Sequence, residues 1–336
     1  MPGGAKAHLL ELQNVRTELQ LRDGVLTAVD CVSFHVDSGE TLGIVGESGS
    51  GKTMTALSIL RLLPRSGRVT NGQVRFKGRD LLALSEGEME EIRGAEIAMI
   101  FQDPMTSLNP VFEVGWQVGE PLRLHRATGG RESMSKAVEM FSRVGIPEAA
   151  RRVSQYPHMF SGGMRQRAMI AMGLSTEPSL LIADEPTTAL DVTIQAQILE
   201  LLRTLNREFG TATILITHNL GVVAGMCERV VVMYAGRVVE QGPTRDVFAH
   251  PQHPYTWSLL HSIPRLDDES GKPLRPVEGA PPDMLQLPPG CKFNPRCPFA
   301  IEQCSKEEPE LLPVKGAQLA RCWVTQAGDE LTEPGA

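Results

Sequence analysis

Gly46-Glu47-Ser48-Gly49-Ser50-Gly51-Lys52-Thr53 is the stretch on which the fold turns. It follows the short apolar run of residues 41–45 and opens residues 52–63, whose apolar positions recur at helical spacing until Pro64. That is G-x-x-x-x-G-K-[ST] in the strand-to-helix setting that gives the pattern its meaning. Glycines let successive backbone N–H groups curl around phosphate oxygens, and the helix start adds a favourable dipole. Lys52 is placed to neutralise the β- and γ-phosphates, and Thr53 to offer its hydroxyl to Mg2+.

Working outward, residues 8–45 read as strands, with alternation over 28–36 and a turn at Asp37-Ser38-Gly39-Glu40. Residues 72–76 read as an edge strand and 96–101 as a buried one. From 103 to about 177 the texture is mostly helical, with helices expected at 111–124, 133–144 and 162–174. Strand patterns return at 180–183 and 213–217, and residues 195–209 between them form an amphipathic helix. Residues 230–234 and 237–241 flank Ala235-Gly236 as a hairpin. This order predicts an α/β domain with a mainly parallel core sheet.

Further polar positions stand where strands end. The run 180–183 leads into Asp184-Glu185, Gln102 follows 96–101, and His218 follows 213–217. In α/β sheets ligands gather at the carboxyl ends of strands. Asp184 is therefore expected near the magnesium and Glu185 facing the attacking water. Ser161 is a good N-cap, and Gly162-Gly163 leaves N–H groups unobstructed at a helix start, which suits a γ-phosphate.

In order, residues 46–53, Gln102, Ser161-Gly162-Gly163, Asp184-Glu185, Ala189-Leu190-Asp191 and His218 resemble the Walker A, Q-loop, signature, Walker B, D-loop and H-loop of an ABC-type ATPase. The resemblance covers about residues 8–250. It implies a P-loop ATPase domain over 1–250 with a mainly parallel core sheet, an antiparallel β subdomain and a helical subdomain at about 103–177. It also implies a dimer with two ATP molecules between subunits, each gripped by one subunit's phosphate loop and the other's signature helix. Glu185 is then the base that polarises water, His218 braces the γ-phosphate, and Asp191 lies across the interface. Thr53, Gln102 and Asp184 become the magnesium residues, with Gln102 also sensing the transport partner. Two departures stand out. The signature reads Phe160-Ser161-Gly162-Gly163-Met164 where the family usually has Leu-Ser-Gly-Gly-Gln, and Leu19 occupies the place of the aromatic residue that stacks on adenine.

A chain of 336 residues suits about two domains. Its net charge of −7 argues against nucleic-acid binding through a broad basic surface. With neither a signal-peptide pattern at the N-terminus nor an apolar run long enough to span a membrane, a cytoplasmic location is expected. Beyond residue 250 the composition changes, since 14 of the 24 prolines fall in residues 251–336. Such a segment cannot be regular helix or central strand throughout, and it reads as a loop-rich extension in need of a staple. Cys291, Cys297, Cys304 and Cys322 lie there with the spacing C-x5-C-x6-C-x17-C, which fits neither a zinc-finger pair nor the ferredoxin run. By spacing alone they are open to an iron–sulfur cluster, zinc or no ligand.

Three longer stretches narrow the resemblance. Gln102-Asp103-Pro104-Met105-Thr106-Ser107-Leu108-Asn109-Pro110, His253-Pro254-Tyr255-Thr256 and Pro288-Pro289-Gly290-Cys291-Lys292-Phe293-Asn294-Pro295-Arg296-Cys297 look like the dipeptide/oligopeptide importer ATPases. Nickel importers share much of this pattern. The resemblance implies a second ATPase subunit (identical or related), two transmembrane permease subunits and an extracytoplasmic substrate-binding protein, with this chain peripheral on the cytoplasmic face of the membrane. Some members carry a [4Fe–4S] cluster on such an extension, and the cysteine spacing here is similar. The rival class is a soluble ABC ATPase of DNA repair or translation. Against it, residues 54–160 hold neither a long heptad run nor a cysteine, and the chain carries one cassette.

Overall fold

The computed structural model describes residues 8–103, 107–188, 190–262 and 277–332. It contains two compact units that interleave along the chain. One gathers the described parts of Met1–Leu9, Val36–Thr41 and Phe76–Ile216, the other those of Leu10–His35, Leu42–Arg75 and Thr217–Ala336.

In the second unit, β1 (Leu10–Leu21) and β2 (Gly24–Val36) are joined through the tight turn Arg22-Asp23, and β4 (Gly67–Phe76) lies beside β1 in the order β2-β1-β4. The expectation that this last strand begins at Gly72 is corrected. The strand runs through Gly72 from Gly67. Gly72 takes φ +94°, and a Cβ there would sit 2.5 Å from the carbonyl oxygens of Gln13 and Asn14, so the glycine serves close approach of two strands. β3 (Thr41–Val45) pairs in parallel with β9 (Arg229–Tyr234), Leu42 opposite Arg229 and Val45 opposite Val232. β9 turns back into β10 (Arg237–Pro243) across Ala235 and Gly236, both left-handed at φ 48° and 79°, which is the expected hairpin.

The extension adds to this sheet. Its hairpin, β11 (Leu312–Lys315) and β12 (Gln318–Ala320), docks antiparallel on β10 with Glu240 opposite Ala320. The helix Pro254–His261 and two short 3-10 turns, Asn294–Arg296 and Glu302–Ser305, supply most of its remaining regular structure.

The first unit holds the two-residue strand β5 (Arg79–Asp80) and three parallel strands, β6 (Ile97–Ile100), β7 (Leu180–Asp184) and β8 (Ala212–Ile216). Every residue of β7 and β8 is buried, which explains why they are apolar but for Thr213 and the terminal Asp184. The helix Val192–Phe209 connects them, three residues longer at its start than the expected 195–209 because Asp191 caps it. The single helix expected at 111–124 is instead two, Val114–Val118 and Glu120–His125, with Gly119 between them and Pro121 in the first turn of the second. Residues 109–112 are pinned by buried Gln117. Its Oε1 accepts from the Asn109 N–H at 2.8 Å, and its Nε2 donates to the carbonyls of Asn109 and Phe112 at 3.0 Å each. Gly130–Arg143 and Gly162–Leu174 complete the expected helices.

Glu240 on β10 is fully buried and accepts from the N–H groups of Gln252 and His253 at 2.7 and 2.9 Å. Burial pushes its carboxyl up to about 7 from 4.5, against those hydrogen bonds. Between these values the folded chain binds more protons at this site than the unfolded one. The contribution of Glu240 to stability therefore falls as pH rises from 4.5 to about 7. Thermal melts of wild type and Glu240→Gln across this window should diverge, with the wild type losing more Tm as pH rises; parallel curves would refute the assignment.

Candidate nucleotide site

The phosphate loop is shaped by what its glycines exclude. Gly46 takes φ +153°, and a Cβ there would lie 2.2 Å from the Met233 carbonyl oxygen; Gly51 takes φ +99°, with the Ala28 carbonyl oxygen 2.5 Å from where its Cβ would be. The N-cap of the helix Lys52–Leu60 that follows is Gly51, which has no side chain with which to cap it, the kind of helix start that suits an anion. Lys52 is buried, and its Nζ donates to the carbonyls of Gly46 and Glu47 at 2.8 and 2.9 Å. The ammonium thus closes the loop upon itself. Ser48 and Gly49 are exposed, Ser50 is buried, and the Thr53 hydroxyl group belongs to an exposed residue at the helix start. His218 is exposed two residues past the end of β8. Leu19 lies half-buried on β1 against the backbone of Gly67, whose Cβ would fall 2.8 Å from the leucine Cδ2.

Glu47, inside the loop, has partners that sequence reasoning missed. Its N–H donates to the Tyr255 hydroxyl at 2.7 Å, and its carboxylate accepts from Arg296 Nη1 and Nη2 at 2.7 and 3.0 Å. Both partners lie inside stretches that the resemblance singles out. Their separations from Glu47, 208 and 249 residues, give no local signal.

In the first unit, Glu185 follows β7 in a left-handed conformation, φ 45°, that a non-glycine residue adopts only when its surroundings enforce it. Its N–H donates to the Ile216 carbonyl at 2.9 Å. Its Oε2 accepts from Gln102 Nε2 at 3.1 Å and from Thr188 Oγ1 at 2.8 Å. Gln102 and Glu185, both expected site residues, are thus brought together, and Thr188 is an addition. Asp184 is 2% exposed at the strand end. Its carboxylate in this unit, like the Thr53 hydroxyl in the other, is the type of hard oxygen donor that magnesium takes. Ser161 caps Gly162–Leu174, its Oγ accepting from the Met164 N–H at 3.4 Å. Asp191 is exposed and spends one oxygen on its own helix through the Ile194 N–H at 3.0 Å. Ala189 and residues 104–106 of the quoted stretches lie outside the described residues.

The four C-terminal cysteines converge. Together with Phe293 and Trp323 they line one cavity of about 290 Å3, counting space open to solvent. A backbone hydrogen bond from Cys291 N–H to the Cys304 carbonyl, 2.8 Å, ties two of them. Gly290 makes that approach possible, since at φ +65° its Cβ would meet the same carbonyl oxygen at 2.3 Å. Burial pushes the thiols of Cys291 and Cys297 up to about 11 and about 12, and raises that of Cys322. Among the described residues, no three of these sulfurs lie within 4.8 Å of one another.

Because Gly46 has no room for a side chain, Gly46→Ala should lower affinity for a fluorescent ATP analogue by more than tenfold. Equilibrium titration of the folded variant measures this, and unchanged affinity would contradict the close-approach argument.

Comparison with known proteins agrees with the geometry. Residues 29–188 match the ABC transporter family, and residues 239–304 match the oligopeptide/dipeptide transporter C-terminal region. The first match contains the phosphate loop and Glu185; the second contains three of the four cysteines. The chain is 54% identical over 301 residues to the oligopeptide transport ATP-binding protein OppD of Salmonella typhimurium, covering 90% of this chain and 89% of that one. To OppD of Haemophilus influenzae it is 51% identical over 317 residues, covering 94% and 97%. Among solved structures, it resembles the ATP-binding cassette MJ0796 in a dimeric post-hydrolysis state bound to ADP and Pi, with TM-score 0.63, 30% identity, and coverage of 70% of this chain and 99% of that one. The glycine-shaped loop, the carboxylate held at the end of β7 and these matches together establish that the chain belongs to the ABC transporter ATPases, in the branch that carries the oligopeptide/dipeptide C-terminal region.

Proposed function

We propose that this ATPase subunit of an oligopeptide/dipeptide importer builds each of its ATP sites from two ATPase subunits. Residues 46–53 of one subunit hold the triphosphate, and Ser161, Gly162 and Gly163 of the other close over the γ-phosphate. The observation that carries the reading is the uncapped helix start behind Gly46 and Gly51, with the Lys52 ammonium folded into the loop. Backbone donors and one buried cation form a mould for phosphate oxygens. Magnesium, which neutralises part of the phosphate charge when bound, would be held by Thr53, Gln102 and Asp184. Glu185 orients and polarises the attacking water, and Gln102 and Thr188 hold its carboxylate in a fixed direction. His218 braces the γ-phosphate, and Asp191 faces the neighbouring subunit.

In this reading residues 1–250 are the nucleotide domain, 103–177 its helical part and 251–336 an extension of the importer branch. No helix among the described residues is long and apolar enough to cross a membrane. Two permease subunits carry the passage in this proposal, an extracytoplasmic protein delivers the peptide, and this chain sits on the cytoplasmic side. Phe112 and Trp116, stacked with centroids 4.8 Å apart, and Val111, which is 71% exposed, offer the permeases an apolar contact.

The cysteine cavity is assigned to a [4Fe–4S] cluster. Tetrahedral zinc with Zn–S bonds of about 2.3 Å needs sulfurs about 3.8 Å apart. Four cysteines lining one cavity supply the four thiolates that a four-iron core takes, with the thiols deprotonating as they bind. Anaerobically purified protein should contain iron and acid-labile sulfide in equal amounts, both lost in Cys297→Ser. Zinc alone, or no metal, would refute the cluster.

For the ATP site, Glu185→Gln is expected to reduce phosphate release by at least about 100-fold while ATP-bound dimers accumulate in size-exclusion chromatography. Unchanged turnover would remove Glu185 from the role of base.

A further inference from the structure

The phosphate loop is held from the far end of the chain. Tyr255, which opens the helix Pro254–His261, accepts the Glu47 N–H; Arg296, which ends the turn Asn294–Arg296, grips both oxygens of the Glu47 carboxylate. The Arg296 side chain is only 5% exposed, and its Nε donates to the Glu278 carbonyl at 2.9 Å. Its cation lies 5.8 Å from the ring centre of Tyr234 and 5.9 Å from that of Phe293. Tyr234, Tyr255 and Phe293 pack on one another with centroids 4.7–5.4 Å apart. Exposed ion pairs contribute little to stability. A two-pronged pair walled by aromatic rings is different, because the planar guanidinium fixes direction as well as charge, and removing one partner strands the other.

Position gives this pair its meaning. Glu47 is the second residue of the loop, and Lys52 donates to its carbonyl oxygen. On the other side, Phe293, Asn294 and Cys297, which flank Arg296 in sequence, line the four-cysteine cavity. Pro281, Pro282 and Met284 of the extension line a second cavity together with Glu47, Ser48, Gly49 and Ser50. One short turn therefore has the cysteine cavity against its flanks and the phosphate loop against its last side chain.

We infer that Arg296 and Tyr255 are positioning residues of the ATP site. By holding Glu47 at its carboxylate and its N–H, they keep residues 46–53 in the conformation that receives a triphosphate. Nucleotide affinity and the conformation of the cysteine-bearing turn are thereby linked, and the linkage runs both ways. The inference rests on residues 46–53 being the nucleotide loop, and the wild-type measurement below tests that premise separately.

The full-length chain is titrated with a non-hydrolysable ATP analogue and Mg2+, as wild type, Arg296→Gln, Arg296→Lys, Glu47→Gln and the Arg296→Gln/Glu47→Gln double variant. Each single glutamine variant should raise Kd roughly tenfold, and the double variant should be no worse than either. Arg296→Lys, which restores the charge but not the fork, should recover part of the loss. In ATPase assays the rise in KM should exceed the fall in kcat. Hydrogen exchange of the amides of residues 293–297 should slow when the analogue binds the wild type and stay unchanged in Arg296→Gln. Additive losses in the double variant, wild-type affinity in a folded Arg296→Gln, or equal slowing of exchange in both proteins would overturn the inference. Failure of the wild type to bind the analogue would overturn the loop assignment and the inference with it.

Discussion

Backbone N–H groups can wrap a phosphate only where no Cβ stands in the way, and much of the second unit is arranged around that requirement. The loop after β3 brings its glycines against the backbone itself, with the Met233 carbonyl behind Gly46 and the Ala28 carbonyl behind Gly51. These neighbours come from β9 and β2, so the loop inherits its shape from both. The β9–β10 turn completes the frame. The Gly236 N–H donates to the Ser50 carbonyl at 3.0 Å, and the Gly236 carbonyl accepts from the Asp30 N–H at 2.8 Å. A loop that presents its backbone in this way has few side chains with which to hold itself. Its rigidity has to be supplied by strands packed around it.

Signals read correctly in the sequence are those in which cause and effect lie within a few residues. Ala235-Gly236 supplies two left-handed residues to a hairpin, and Ser161 caps the helix it precedes, because each acts on its immediate neighbours. β7 is recognisable because burial on both faces demands an unbroken apolar run. Readings failed where a distant partner overrides a local preference. The strand Gly67–Phe76 reads as such only from Gly72, since nothing local shows that β1 comes close enough there to need a glycine. Residues 111–124 look like one helix because apolar periodicity ignores the staple that Gln117 makes across residues 109–112. Thr188 was within reach of local reasoning, since a hydroxyl three residues past a left-handed carboxylate can fold back upon it. The Glu47–Arg296 pair was not within reach, because no periodicity spans 249 residues.

Charge explains how a proline-rich extension with little regular structure stays attached. Arg237 at the start of β10 pairs with Asp30 of β2 and, through Nη1, with Glu308 at 2.9 Å; Lys292 reaches the other oxygen of Glu308 at 3.3 Å. All four side chains are at most 20% exposed, so solvent screens them less than it screens surface pairs. β2 backs the phosphate loop through Ala28, and Cys291, Phe293 and Pro309, the sequence neighbours of Lys292 and Glu308, line the cysteine cavity. The polar network therefore does what a larger apolar core would do in a longer domain.

The same unit contains a run of hydrogen bonds whose order can be followed from donor to acceptor. Glu240, buried on β10, accepts the His253 N–H; His253 Nδ1 accepts the Tyr255 N–H at 3.1 Å; the Tyr255 hydroxyl accepts the Glu47 N–H. His253 has to be neutral for this to work, because a protonated ring would present a donor to the Tyr255 N–H. Burial supplies that neutrality by lowering its basicity to about 3. The ring then caps the helix that carries Tyr255, and the cap fixes where the phenol points. Three buried polar residues that would each be unfavourable alone become a ruler between the β10 strand and the phosphate loop. Together they set one position for the Glu47 N–H, and an apolar substitute at any step would leave a buried donor or acceptor without its partner.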